Sequence, residues 1–188
     1  LSKMLKEAGI DLRDLEDEAF DNPLGESTGA GVIFGATGGV LEAALRTVYE
    51  LVNEKTLDDV DFTAVRGMQG VKEAAIRLNG KTVHVAAASG LGNARKLLEK
   101  IEKGTSKYDV IEIMACPGGC INGGGQPYSQ ERAERIQARI QALYTVDQEQ
   151  VVRKSHENPS VQRLYEEYLD EPGSEKAHEL LHTVYFKE

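Results

Sequence analysis

Glu112-Ile-Met-Ala-Cys-Pro-Gly-Gly-Cys-Ile-Asn-Gly-Gly-Gly-Gln-Pro127 carries both cysteines of the 188-residue chain, Cys116 and Cys120, and five glycines between Gly118 and Gly125. The apolar run from Val110 to Ala115 reads as a buried strand leading into this loop, and Pro117 stops it. Two thiols separated by three residues and wrapped in glycine point to a soft metal centre that bare backbone approaches closely.

Working upstream, Gly90-Leu-Gly-Asn93 opens a helix over Ala94 to Lys103, with Leu97, Leu98 and Ile101 as its apolar stripe. Before it, Lys81-Thr-Val-His-Val-Ala-Ala-Ala88 is a second buried strand, entered through the turn signal Asn79-Gly80. Strand, short helix, strand is a crossover unit, so these two strands should be parallel. Cys116 then lies just beyond the C-terminal end of a parallel strand, where open α/β sheets place their ligand sites. Val71 to Leu78 fits either a strand or a short helix, and as a strand it would form a hairpin with the Lys81 run. Val60 to Arg66 alternates as a half-exposed strand does. The fold class is therefore α/β: a parallel or mixed sheet with crossover helices, followed by a helical C-terminal tail.

In the tail, Ser129 can cap a helix with Ala133, Ile136, Ile140 and Leu143 inward. Asn158 or Ser160 starts another, carrying Val161, Leu164, Tyr165 and Leu169. Ser174 can cap the last, with Ala177, Leu180, Leu181, Val184 and Tyr185 as its apolar positions. Near the N-terminus, Ser2 is a plausible cap for a helix that Gly9 stops. Asp21 to Thr28 is a turn-rich loop, and Ile10 to Phe20 is acidic and solvated. Leu1 is not methionine and the helix begins at once, so the chain reads as a piece of a longer one.

A net charge of −9 leaves no basic stripe for phosphate backbones, which excludes a nucleic-acid surface. No apolar run approaches the ~18 residues of a membrane span, and no signal pattern opens the chain. Two cysteines do not make a disulfide scaffold, so a reducing, cytoplasmic setting is expected.

Three further features compete for function. Gly29 to Gly39 precedes a helix whose apolar positions are Leu41, Ala44, Leu45, Val48, Leu51 and Val52. Its glycines could cradle a phosphate, but no Gly-Lys-Ser/Thr ending follows, and close backbone packing fits better. His84 lies within a strand and reads as a hydrogen-bonded structural histidine. His178-Glu-Leu-Leu-His182 matches the zinc peptidase pattern, with Glu179 as general base. Only six residues follow His182, the sole carboxylate among them being Glu188, so a coincidental match on a structural helix is expected.

For the cysteines, a Cys-x-x-Cys redox motif is excluded by the extra residue, and structural zinc would need a second ligand pair that the chain lacks. A cluster or metal and unremarkable buried thiols remain open on spacing alone.

Met114 to Pro127 resembles the third cysteine motif of the iron-only hydrogenases. Phe34-Gly-Ala-Thr-Gly-Gly-Val-Leu-Glu-Ala-Ala-Leu-Arg46 is similar to another marked segment of the same catalytic domain, and Val151 to Tyr185 to that family's small-subunit segment. The resemblance implies residues 1–145 as the C-terminal half of the active-site domain and 146–188 as a small-subunit-like tail. It implies that Cys116 ligates a 4Fe–4S cluster and that Cys120 bridges it to a two-iron unit, with Phe34, the Gly35 backbone and Met114 around that unit. Leu41 stands where many members have methionine, a volume-conserving change. The family's two other cysteine motifs, the cysteine and carboxylates of its usual proton path, its cyanide-contacting lysine and its ferredoxin-like clusters have no counterpart here. The parent would reversibly reduce protons to hydrogen, with a ferredoxin or NADH-linked electron partner. The chain alone is expected to be inactive and free of cofactor, to require the N-terminal half of its subunit, and to expose surface that favours self-association.

Overall fold

The computed structural model describes residues 1–19 and 26–184. Most of the loop expected over Asp21 to Thr28, and the expected positions of Tyr185 and Glu188, lie outside those residues.

The sheet has three strands in the order β1 (Val71–Leu78), β2 (Lys81–Ser89), β3 (Val110–Met114). β1 and β2 form an antiparallel hairpin whose end pair is Leu78 and Lys81. Asn79 and Gly80 both take positive φ at that turn, so Val71–Leu78 is a strand and not a helix. β2 and β3 are parallel and joined by helix α4 (Leu91–Glu102), as the crossover pattern requires. The sheet is therefore mixed.

Each face of the sheet is covered by one helix. Helix α3 (Gly39–Asn53) sets Leu41 and Leu45 against Val65, Ile76, Val85 and Ala87. On the opposite face Leu97 of α4 meets Ala86 and Ala88, with Val71, Tyr108 and Ile111 at the rim. The alanines of β2 are fully buried on both faces, which is the burial expected for a central strand. A third cluster lies at the end of the sheet. There Ile33 and Ala36, following the short helix α2 (Gly29–Val32), pack on Ile136, Ile140 and Tyr144 of α5 (Arg132–Glu149).

Several expectations are corrected. Val60–Arg66 is not a strand: it closes as a 3₁₀ turn over Thr63–Val65 that buries Val65 under α3. β3 is an edge strand, so Val110 and Ile113 are exposed instead of buried. Leu98 and Ile101 of α4 are likewise exposed, because α4 touches the sheet through a narrow stripe over small residues. Along α3, Val48, Leu51 and Val52 face outward, while Glu42 and Arg46 are buried completely. Ser2 lies inside α1 (Ser2–Glu7), which Leu1 precedes, and α5 starts at Arg132, beyond Ser129.

The tail follows its sequence signals more closely. Asn158 accepts hydrogen bonds from the N–H groups of Ser160 and Val161 at the start of α6 (Pro159–Leu164), which runs into a wider turn at Tyr165–Leu169. Ser174 caps α7 (Glu175–Leu181), but Leu180, Leu181 and Val184 are exposed.

The segment after α5 is tied to α3 by charge. Glu50 accepts from Lys154 at 2.8 Å, from the Leu57 N–H at 2.6 Å and is bonded to His156 at 2.8 Å, and the other His156 ring nitrogen meets the Thr47 hydroxyl at 3.0 Å. Burial alone would raise the Glu50 pKa, but the Leu57 N–H, Lys154 and His156 outweigh it and bring the carboxyl down to about 2. A depressed carboxylate stabilises the fold above its unfolded value of 4.5, and that contribution fades as pH falls toward 2. Urea unfolding of the chain and its Glu50→Gln variant is therefore expected to differ at pH 6, with the gap narrowing below 4.5 and closing only as pH approaches about 2. A gap that stays constant with pH would contradict this pairing.

Candidate iron–sulfur ligand loop

The loop begins where β3 ends. Met114 pairs with Ser89, and its carbonyl accepts from the Gly90 N–H at 2.8 Å, which fixes the strand end against the start of α4. Cys116 follows, half-buried, and Cys120 opens a short 3₁₀ turn (Cys120–Asn122), exposed; both thiols are free. The turn is held from within. Gly119 N–H donates to the Cys116 carbonyl at 3.0 Å, Gly123 N–H to the Cys120 carbonyl at 2.9 Å, and the Asn122 side chain to the Pro117 carbonyl at 2.9 Å. From α5, Arg139 donates to the Ile121 carbonyl at 2.8 Å.

Glycine is required at Gly118 and Gly119, with φ of 84° and 105°. A Cβ on Gly119 would sit 2.5 Å from the Gly35 carbonyl oxygen and 2.7 Å from the Thr37 nitrogen. The cysteine loop thus lies directly on a strap, Gly35 to Gly39, that enters α3. One hydrogen bond joins them, from the Thr37 N–H to the Gly118 carbonyl at 3.1 Å. The strap is itself close-packed: at Gly38, φ 94°, a Cβ would overlap the Val65 carbonyl, and at Gly39 the Ile33 carbonyl. This is the close packing expected of the glycine run. The N-terminus of α3 is already occupied by a carboxylate of the same chain, since Glu112 accepts from the N–H groups of Gly38 at 2.5 Å and Leu41 at 2.7 Å.

Gly35 opens this strap against the loop, and Phe34 immediately precedes it. Phe34 is 44% exposed, which leaves its ring free to border a further group. At Gly35 a Cβ would meet Leu143 and Ile121 at 3.0 and 3.3 Å. The folding therefore brings Phe34, Gly35, Cys116 and Cys120 to one end of the sheet, with Met114 at the last position of the strand that feeds it.

The donor chemistry fits one side of an iron–sulfur cluster. Two soft thiols stand on a turn with little side-chain bulk, and a Cβ at Gly123 would fall 3.8 Å from the Cys116 sulfur. Four iron atoms need four such donors, and the sequence contains two cysteines.

The other candidates come apart. His178 and His182 stack with ring centroids 4.4 Å apart where α7 ends at Leu181, and the His182 N–H still donates to the His178 carbonyl at 3.1 Å. Among the described residues no third ligating group joins them. His84 is held through its backbone, donating to the Asp109 carboxylate and accepting from the Asp109 N–H. Glu50, His156 and Glu157 lie close enough together to share a cation, but the Lys154 ammonium occupies the space between the two carboxylates.

Sequence inspection missed a buried charge network. Arg46 donates to Asp147 through both terminal nitrogens and to Glu42, each at 2.8 Å, and all three residues are 0% exposed. Arg66 and Arg153 complete the network through Glu42, Asp61 and Asp147, and the Arg66 guanidinium lies 4.1 Å over the Tyr144 ring. The one local hint was the Glu42 to Arg46 spacing of four. Asp147 is 101 residues away from Arg46, so nothing in the local sequence reports it.

Comparison with known proteins places the chain in a family. The description "iron only hydrogenase large subunit, C-terminal domain" matches residues 1–124, and "iron hydrogenase small subunit" matches residues 133–188. The chain belongs to the iron-only hydrogenase family. It is 54% identical over 187 residues to the NADP-reducing hydrogenase subunit HndD of Solidesulfovibrio fructosivorans, covering 100% of this chain and 32% of that protein. It is 32% identical over 189 residues to protein NAR1 of Arabidopsis thaliana, covering 97% of this chain and 40% of that one. The [FeFe]-hydrogenase HydA1 from Chlamydomonas reinhardtii superposes with a TM-score of 0.75 at 44% identity, over 97% of this chain and 53% of that structure. The chain thus spans only about a third of the length of HndD.

Proposed function

We propose that this chain is the C-terminal half of the active-site domain of an iron-only hydrogenase, residues 1–145, followed by a helical small-subunit-like tail, residues 146–188. The parent reaction is reversible reduction of protons to hydrogen. Cys116 would supply one thiolate to a 4Fe–4S cluster, and Cys120 would supply the thiolate between that cluster and a two-iron unit. Phe34, the Gly35 backbone and Met114 border that unit. The bound cluster supplies electron storage and proton reduction. What this chain supplies is two thiolates on a rigid glycine turn and a wall that shapes the space beside them.

The observation that carries this reading is the contact of the Cys116–Cys120 turn with the Gly35–Gly39 strap, which leaves two thiols at the sheet's end and no further cysteine to join them. The remaining ligands come from the N-terminal half of the parent subunit. HndD's description as an NADP-reducing subunit supports a nicotinamide-linked electron partner, with a ferredoxin as the other candidate. Free cysteines suit a reducing, cytoplasmic compartment. No described helix is long and apolar enough to cross a membrane.

The purified chain is expected to hold no iron and to evolve no hydrogen; joined to its N-terminal half and matured, it is expected to do both. Matured full-length protein without hydrogen evolution would refute the reading. The exposed Leu98, Ile101, Val110 and Ile113 predict self-association of the isolated chain, and light scattering that returns a monomer would remove that corollary.

Similarity at 30% identity to the cytosolic iron–sulfur assembly component 3 of Bos taurus supports a second reading, an iron–sulfur assembly protein built on the same fold. Infrared carbonyl and cyanide bands from the full-length protein would exclude it.

A further inference from the structure

We propose that Lys72 and Glu112 are positioning residues for the cysteine loop, acting as a two-sided clamp on the single peptide group between Thr37 and Gly38. The two residues sit in one row across the sheet, since Lys72 pairs with Ala87 and Ala87 with Glu112. Both point to the α3 side, where the strap crosses the ends of the strands. The Lys72 ammonium donates to the Thr37 carbonyl at 2.5 Å and to the Gly67 carbonyl at 3.1 Å. The N–H of the same Thr37–Gly38 peptide donates to Glu112 at 2.5 Å, and the second carboxylate oxygen takes the Leu41 N–H at 2.7 Å. One peptide is therefore gripped at its oxygen by a cation and at its nitrogen by an anion, and charge-assisted bonds are the strong ones.

The clamp reaches the cysteines in one step. The next peptide back, whose N–H belongs to Thr37, donates to the Gly118 carbonyl, and Gly119 rests on the backbone from Gly35 to Thr37. With the strap held from the sheet side, the loop has a fixed floor. Gly38 allows the grip, because its φ of 94° turns the chain between Val65 and the Lys72 ammonium.

This arrangement is costly for stability, which argues for a role beyond packing. Lys72 is 2% exposed and, among the described residues, forms no ion pair, its partners being carbonyls. Burial pulls its pKa down to about 8, against the opposing field of Glu112. The Thr37 hydroxyl on the same strap is also buried, at 2% exposure, with no hydrogen-bond partner. An apolar residue at position 72 would avoid the desolvation, but it could not hold the strap. The inference uses the proposed function only in naming the cysteines as ligands; the clamp itself is independent of iron.

The test uses the 188-residue chain without metal. Lys72→Met and Glu112→Gln are made separately. Amide hydrogen exchange is followed at Thr37, Gly38 and Leu41, with the β1–β2 ladder amides as reference, together with the alkylation rate of half-buried Cys116. Each variant is expected to speed exchange at the strap about tenfold or more and to raise Cys116 alkylation severalfold, with the ladder within about twofold of wild type. Unchanged strap exchange and alkylation would overturn the proposal. So would equal acceleration everywhere, which would make Lys72 and Glu112 general stabilisers only. If Lys72→Met does not fold, Glu112→Gln alone decides. Failure of the hydrogenase reading would appear in the iron and hydrogen assays and would leave these rates untouched.

Discussion

Replacing Arg46 by methionine is expected to cost the chain about 3 to 5 kcal/mol of folding stability, the range for removing one partner of a buried ion pair. Three arginines (Arg46, Arg66, Arg153) face three carboxylates (Glu42, Asp61, Asp147) in this network, so it is neutral as it stands. Arg46 is the member that touches both fully buried carboxylates, and its Nε also donates to the Val60 carbonyl at 2.9 Å. Burial would lower the Arg46 pKa, but Asp147 and Glu42 raise it overall, so the guanidinium stays charged at any pH where the chain folds. Burial likewise pushes Asp147 up, and Arg46 and Arg153 bring it below the ordinary carboxylate range. Without Arg46, Glu42 and Asp147 are left in a dry site with a net negative charge. Urea unfolding is the measurement, and a loss below about 1 kcal/mol would mean that water or side-chain rearrangement replaces the guanidinium. The double variant Arg46→Met with Asp147→Asn is expected to lose less than the two single losses added together, because the second change removes a charge the first one stranded.

The same network bears on how the chain is organised. Glu42, Arg46, Asp61 and Arg66 fall in the segment matched by the large-subunit description, and Asp147 and Arg153 in the one matched by the small-subunit description. Glu50 and Lys154 repeat the pattern a turn further along α3. The segment that follows α5 is thus fastened to α3 by buried charge instead of by a continuous apolar seam. Charge fixes register more narrowly than apolar contact does, because a displaced guanidinium strands its carboxylates at a cost a displaced leucine never meets.

What was legible in the sequence divides along the same physical line. β2, β3 and α4 were readable because apolar runs bounded by Gly80, Gly90 and Pro117 carry their own length and period. The cysteine loop was readable because two thiols among five glycines are rare in composition. Val60 to Arg66 misled, since its alternation serves a turn that buries only Val65 under α3. Glu42, Arg46 and Lys72 were invisible as core residues, because their type assigns them to solvent. Their burial depends on partners that residue type does not announce: Arg46 and Arg66 for Glu42, Asp147 for Arg46, and the Thr37 and Gly67 carbonyls for Lys72. Val48, Leu51 and Val52 were misassigned for the complementary reason: α3 has two buried faces, one of them polar, so a single apolar stripe does not describe it.

On the proposed hydrogenase reading, Gly119→Ala in the full-length parent is expected to abolish cluster loading, with bound iron at the cysteine site and hydrogen turnover both falling to roughly 1% or less of wild type. Two effects add at this position. An L-residue is strained at φ 105°, at a cost on the order of 1 to 3 kcal/mol. The new Cβ also overlaps backbone atoms of Gly35, Ala36 and Thr37, at 2.5 to 2.9 Å, and backbone fixed in a strap cannot swing aside as a side-chain end can. The loop must lift from the strap, which displaces Cys116 and Cys120 together from the geometry in which, on that reading, two further thiolates would meet them. Gly124→Ala is the matched control, because its Cβ would meet nothing within 4 Å and its φ is not positive. That variant is expected to keep iron and turnover within about twofold of wild type. Iron analysis separates the two explanations for lost activity. Gly119→Ala protein that keeps its full iron content and turns over hydrogen normally would show that the loop seats its ligands without the strap, and the strap would then be scaffolding for α3 alone.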